Sequence, residues 1–94
     1  MKIADVRAGM NNVGLEAKVV DKSEVRNVQT KYGPRNVADA ILEDETGQIS
    51  LSLWENNIAL VDIGNTVVVT DAYVTQFKDK MQLNIPKTGK LEVK

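Results

Sequence analysis

The feature that most narrows what this chain can fold into is a period of two that recurs almost throughout. Val13-Gly-Leu15-Glu-Ala17-Lys-Val19 alternates apolar with polar residues, the mark of a half-buried strand. Rising polarity from Asp21 to Gln29 reads as the same strand running on past the core. Thr30-Lys-Tyr-Gly-Pro-Arg35 reads as a turn, because Gly33 can take a positive φ and Pro34 fixes its own. Val37 to Leu42 is a second strand, Asp44-Glu-Thr-Gly47 a tight turn, and Gln48 to Trp54 a third strand. Only then does the period change. Glu55 to Val61 reads as about two helical turns, apolar at Ile58, Ala59, Leu60 and Val61, and closed by Asp62-Ile-Gly-Asn65. A parallel crossover needs a dozen residues or more, so a segment this short favours antiparallel strands around it. Thr66 to Phe77 is a long fourth strand, Lys78-Asp-Lys80 a turn, and Met81 to Ile85 a fifth strand stopped by Pro86. Ile3 to Met10 is expected to form a short turn of helix over one end.

Five strands with one short helix between the third and fourth is the order of an all-β, five-stranded Greek-key barrel of the OB-fold type. An SH3-like barrel is the structural rival, and it does not normally place a helix there. Residues 1–94 are expected to form a single domain, since the length leaves no room for a second core.

The absent residues exclude more than the present ones suggest. No cysteine means no disulfide, no thiolate nucleophile and no Cys-ligated zinc. No histidine removes the usual general base and the commonest metal ligand, so Ser23, Ser50 and Ser52 have nothing of that kind to activate them. Carboxylate or lysine chemistry stays formally open, but the expectation is a protein that is not an enzyme and carries no cofactor. No apolar run approaches the ~20 residues of a membrane span. The start carries Lys2, Asp5 and Arg7 without the apolar stretch of a secretory signal. A cytoplasmic location with no membrane partner is expected. Net charge is −1, which argues against a general duplex-DNA binder yet leaves room for a local basic groove.

The four aromatics then become informative. On the third strand Ile49, Leu51 and Leu53 share one face and Ser50, Ser52 and Trp54 the other. On the fourth, Asp71, Tyr73, Thr75 and Phe77 share a phase opposite to Ala72 and Val74. On the fifth, Met81, Leu83 and Ile85 point inward, and Lys80, Gln82 and Asn84 outward. Trp54, Tyr73 and Phe77 therefore fall on the polar sides of their strands, where nothing in the chain covers them. Bases stack on such side chains at about 1–3 kcal/mol each, whatever the sequence. The competing readings are a corner-stapling Trp54, a Tyr73 packed on the helix, and a β-bulge in the fourth strand that turns Tyr73 or Phe77 inward. Tyr32 at a hairpin tip is either a solvated loop residue or a flap over a ligand. Arg26, Lys31 and Arg35 cluster about the first hairpin, and Lys78 and Lys80 flank the last; the alternative is charge that protects an edge strand from pairing.

These residues resemble a known family. Glu24-Val-Arg-Asn-Val-Gln-Thr-Lys-Tyr-Gly-Pro-Arg35, Asp44-Glu-Thr-Gly47, Leu51-Ser-Leu-Trp54 and Phe77-Lys-Asp-Lys-Met-Gln-Leu-Asn84 are similar to the archaeal single-OB single-stranded-DNA-binding proteins. More distantly they are similar to the OB domains of replication protein A and to the DNA-binding subunit of the human SOSS complex. The resemblance runs from about Ile3 to Leu91. It implies base stacking on Trp54, Tyr73 and Phe77, and DNA-lining roles for Arg26, Thr30 and Lys31. The Tyr73 position is often Trp in relatives, and Asn84 stands near a place where some carry a further aromatic. The function implied is sequence-tolerant binding of single-stranded DNA in replication, repair or recombination, with replication or repair proteins as partners. Binding of RNA, or a role as a protein-interaction subunit, is the alternative.

Overall fold

The computed structural model describes residues 2–77, 79–86 and 88–94, and of Phe77 the backbone only. A 3-10 turn at Ile3–Asp5 precedes β1 (Val13–Lys22), β2 (Arg26–Thr30), β3 (Gly33–Asp44), β4 (Gly47–Trp54), α1 (Asn56–Leu60), β5 (Thr66–Phe77), β6 (Lys80–Asn84) and β7 (Lys90–Val93). Five of these strands close into a ring in the order β1-β3-β4-β6-β5, with β5 pairing back onto β1. The pairing is antiparallel except between β4 and β6. This is the expected OB-fold barrel. β2 extends β3 beyond the ring as an arm, and β7 pairs with β5. Among the described residues, no helix is long and apolar enough to cross a membrane.

The barrel is filled by aliphatic side chains from alternate positions of every ring strand. Leu15, Val19, Leu42, Leu51, Leu53, Val69, Val74 and Leu83 are all buried in one cluster. Ile3 and Val6 join it from the N-terminal turn, so the expected cover over one end is present. It is a single 3-10 turn rather than a longer helix.

Strict alternation along β5 would have failed. Leu15 pairs with Val69, but Val13 pairs with Ala72, so β5 carries one extra residue there. Asp71 sits at φ 57, a conformation costly for a side chain with a Cβ. This bulge reverses the parity of the strand. Val67 and Val69 before it and Ala72 and Val74 after it all face the core, and Tyr73 stays outside. The bulge, a competing reason to bury Tyr73 in the sequence analysis, is what keeps it exposed.

Three expectations are corrected, and one strand is added. Asp21 to Gln29 is not one strand: Ser23 breaks it, donating its N–H to the Asp39 carbonyl (2.7 Å) and accepting the Asp39 N–H on its hydroxyl (2.9 Å). The first turn is only Lys31-Tyr32, because Thr30 pairs with Gly33 (φ +106) and Pro34 already lies in β3. The helix is one turn of five residues and buries none of them; Val61, just beyond it, supplies the core contact. Finally, β7 was not read at all. It runs close beside β5, where an added Cβ at Gly89 would come within 2.9 Å of the Thr70 carbonyl oxygen, so glycine is what admits the approach.

The short helix is held from outside its own sequence. Its last carbonyls have no intrahelical donor. The ammonium of Lys22, aimed there by a second register shift between Val19 and Asp21, donates to the carbonyls of Ile58 and Val61 at 2.6 Å each.

Candidate nucleic-acid interface

Cross-strand partners point to the same side of a sheet, so the registers define one outward face. Val37 pairs with Trp54, Asp39 with Ser52, and Ile41 with Ser50. Ser50 pairs with Gln82 across the parallel β4–β6 contact. Gln82 pairs with Thr75, Asn84 with Tyr73, and Lys80 with Phe77. On the arm, Arg26 pairs with Val37, Val28 with Arg35, and Thr30 with Gly33. Arg26, Thr30, Arg35, Trp54, Tyr73, Lys80 and the Phe77 backbone position thus share a single face across β2, β3, β4, β6 and β5. Lys31 occupies the tip of the arm. The Phe77 side chain and Lys78 lie outside the described residues.

Trp54 and Tyr73 are each over a third exposed, at 38% and 39%, which for rings of that size leaves a usable π-face in water. Tyr32 is 75% exposed, with the Lys31 ammonium 5.1 Å from its ring centroid. Beside Lys80 the same face sinks into a trough with two adjoining hollows of about 360 and 170 Å³. Ser50, Lys80 and Met81 border both, and Asp39 and Gln82 floor the smaller one.

The floor is a hydrogen-bonded cluster that the sequence analysis missed. The Gln82 amide nitrogen donates to an Asp39 carboxylate oxygen at 3.0 Å and to the Ser52 hydroxyl. The other Asp39 oxygen accepts from the Arg26 guanidinium at 2.9 Å. Ser52, expected in water beside Trp54, is only 5% exposed. The available signal was Asp39 itself, a carboxylate set in the apolar run Val37 to Leu42.

The cations expected along the face fare unequally. Arg26 is paired with Asp39, and Arg35 lies 3.9 Å from Glu55. No such carboxylate partner is found for Lys31 or Lys80 among the described residues. The Thr30 hydroxyl closes the hairpin: it donates to the Gly33 carbonyl at 2.8 Å and accepts the Tyr32 N–H at 3.2 Å.

Comparison with known proteins shows the family of the chain. Residues 6–93 match the model of the family described as "Single-stranded DNA binding protein Ssb-like, OB fold". The chain belongs to that family. It is 34% identical over 90 residues to the single-stranded DNA binding protein Ssb of Saccharolobus solfataricus, covering 96% of this chain and 61% of that protein. It is also 34% identical over 98 residues to replication factor A of Methanothermobacter thermautotrophicus, of which it spans 12% while 97% of this chain is covered. In fold it is similar to a replication factor A related protein of Methanobacterium thermoautotrophicum. That structure has a TM-score of 0.82 at 21% identity, over all of this chain and 89% of the other.

In this Ssb-like chain the Asp44-Glu-Thr-Gly47 stretch has a structural task. One Asp44 oxygen accepts from the Thr46 N–H (2.7 Å), the Thr46 hydroxyl (2.5 Å) and the Gly47 N–H (3.2 Å). The other accepts the Ile3 N–H at 2.9 Å, docking the N-terminal turn on the barrel. The Thr46 hydroxyl bond, then the Ile3 amide, lower the Asp44 pKa to about 2.

Proposed function

We propose that the outward face of β2–β6 binds single-stranded DNA without catalysis, serving replication or repair. Trp54 and Tyr73 stack on bases, and Phe77, whose backbone position shares their face, takes a third. Lys31 and Lys80 meet phosphates, with Lys78 as a third, while Arg26 and Arg35 stay beside them on Asp39 and Glu55. Thr30 shapes the arm that carries Lys31. The observation that carries this reading is the pair of aromatics, each over a third exposed, on the one outward face that also holds Lys80 and the Asp39–Gln82 cluster, in a member of the Ssb-like family. Stacking suits single strands because in a duplex both base faces are already covered.

Trp54 is the sole tryptophan, so its emission reports on the site. Titration with oligothymidine should quench it to saturation. Trp54→Ala should weaken binding by about 1–3 kcal/mol while the fold survives. An unchanged emission under saturating oligomer, or a Trp54→Ala protein that binds as well as the parent, would refute the stacking. Blunt duplex of equal length should compete at least about a hundredfold less well, since unpairing costs about 1.4 kcal/mol per step. An RNA oligomer of the same length separates a DNA binder from an RNA module.

A further inference from the structure

The trough floor carries an inference that rests on the single-strand reading above and goes beyond it. We infer that Asp39, held by Gln82 and Arg26, is a base-edge acceptor that biases this face toward cytosine over thymine.

The argument starts from the orientation of Gln82. Amide oxygen and nitrogen look alike in shape, but here the partners decide: a carboxylate only accepts, so the group facing Asp39 must be the NH₂. Its second N–H goes to the Ser52 hydroxyl. Both Gln82 donors are thereby occupied, and among the described residues its carbonyl oxygen accepts no hydrogen bond. No buried side-chain oxygen or nitrogen lacks a partner among these residues, so that oxygen is open to solvent. Asp39 is 29% exposed in its side chain and keeps further lone pairs after Arg26 and Gln82 are satisfied. The floor of the smaller hollow therefore offers acceptors, while its cation, Lys80, stands where a phosphate would pass.

An acceptor facing position 4 of a pyrimidine sorts the two bases by the group there. Cytosine presents an exocyclic amine where thymine presents a carbonyl, and carboxylates accept from the cytosine amine. Against thymine the same oxygen would meet the Asp39 carboxylate lone pair to lone pair. The rigidity needed for such a choice is present. The Asp39 backbone is fixed at both N–H and carbonyl by Ser23, and its carboxylate is tied on both oxygens. Trp54 and Tyr73 would supply affinity regardless of sequence, and Asp39 the preference.

The test is a ratio. Affinities for deoxycytidine and deoxythymidine oligomers of equal length would be measured by fluorescence anisotropy above pH 7, for wild type, Asp39→Asn and Gln82→Met. Wild type should bind the cytosine oligomer about three- to tenfold more tightly. Asp39→Asn offers the thymine carbonyl a donor and should bring the ratio to one or below, whatever it does to affinity overall. Gln82→Met removes the tether and should lower the ratio in the same direction, with thermal unfolding confirming that both variants fold. Equal wild-type affinities, or a cytosine preference that survives Asp39→Asn, would overturn the assignment while leaving single-strand binding intact. Failure of both oligomers to bind would overturn the two readings together.

Discussion

β3 begins and ends in a tight turn, and the two turns read alike in sequence: polar residues, one threonine, one glycine. They do opposite things. At the end of β3, Asp44 draws the Thr46 hydroxyl and three backbone N–H groups onto its two oxygens and pins the N-terminus to the barrel. At the start of β3, Thr30 closes the hairpin on itself, and Lys31 and Tyr32 project from the tip without reaching the core. A turn whose hydrogen bonds bring distant chain together supports the fold. A turn satisfied locally leaves its tip free to meet a ligand. Conspicuous motifs therefore do not all belong to the binding surface, and the Asp-x-Thr-Gly stretch, one of those that carry the family resemblance, is a staple.

The contrast can be broken most forcefully at Asp44. Asp44→Ala removes the acceptor for four donors, and it should give the largest fall in melting temperature of any single change in either turn. Affinity for single strands, measured on the folded fraction, should stay unchanged. If stability holds and binding falls, the roles of the two turns are reversed. Acidification gives a related and smaller effect. The folded-state Asp44 pKa of about 2 lies below the unfolded value of ~3.9. Its contribution to stability is therefore complete above the unfolded value and is lost as pH falls through about 2. Unfolding midpoints followed from pH 5 to 2 should show this component in wild type and not in Asp44→Asn. Identical acid profiles would remove the carboxylate from the account.

The opposite turn gives the converse result. Tyr32→Ala should change stability by no more than about 0.5 kcal/mol. It should weaken single-strand binding by up to about 1 kcal/mol, through loss of a ring that also holds the Lys31 ammonium. A destabilised Tyr32→Ala protein would mean that the tip packs on something. The smallest effect is in the response to salt. With Arg26 and Arg35 already neutralised by Asp39 and Glu55, counterion release comes mainly from Lys31 and Lys80. The slope of log affinity against log salt should be about −1.4, or about −2.1 if Lys78 joins them. A slope near −2.8 or steeper would show that the arginines bind phosphate at no cost from their present partners.

Much of this fold was legible because its signals are local. Alternation along β1, β4 and β6 is set by neighbours one and two residues away, and so was the outward phase of Trp54. Tyr73 was placed on the correct side because Ala72 and Val74 flank it, although the bulge at Asp71 that reconciles them with Val67 and Val69 was not located. The unread elements depend on distant chain. β7 is a four-residue stretch with two polar positions, and only β5, laid open to it by Gly89, makes it a strand. Lys22 looks like an ordinary surface cation until the helix carbonyls arrive from 36 and 39 residues away.

The period of two, with one short helix after the third strand, was enough to specify a small β-barrel with an aliphatic interior and aromatics turned outward. What the outward groups are free to do was settled by folding. Hydrogen bonds and ion pairs form between residues separated by tens of positions, and no local pattern encodes them. Arg26, Lys31, Arg35 and Lys80 were equivalent as letters. Folding neutralised the two arginines with Asp39 and Glu55, seated Asp39 on Gln82, and left the two lysines at the rim.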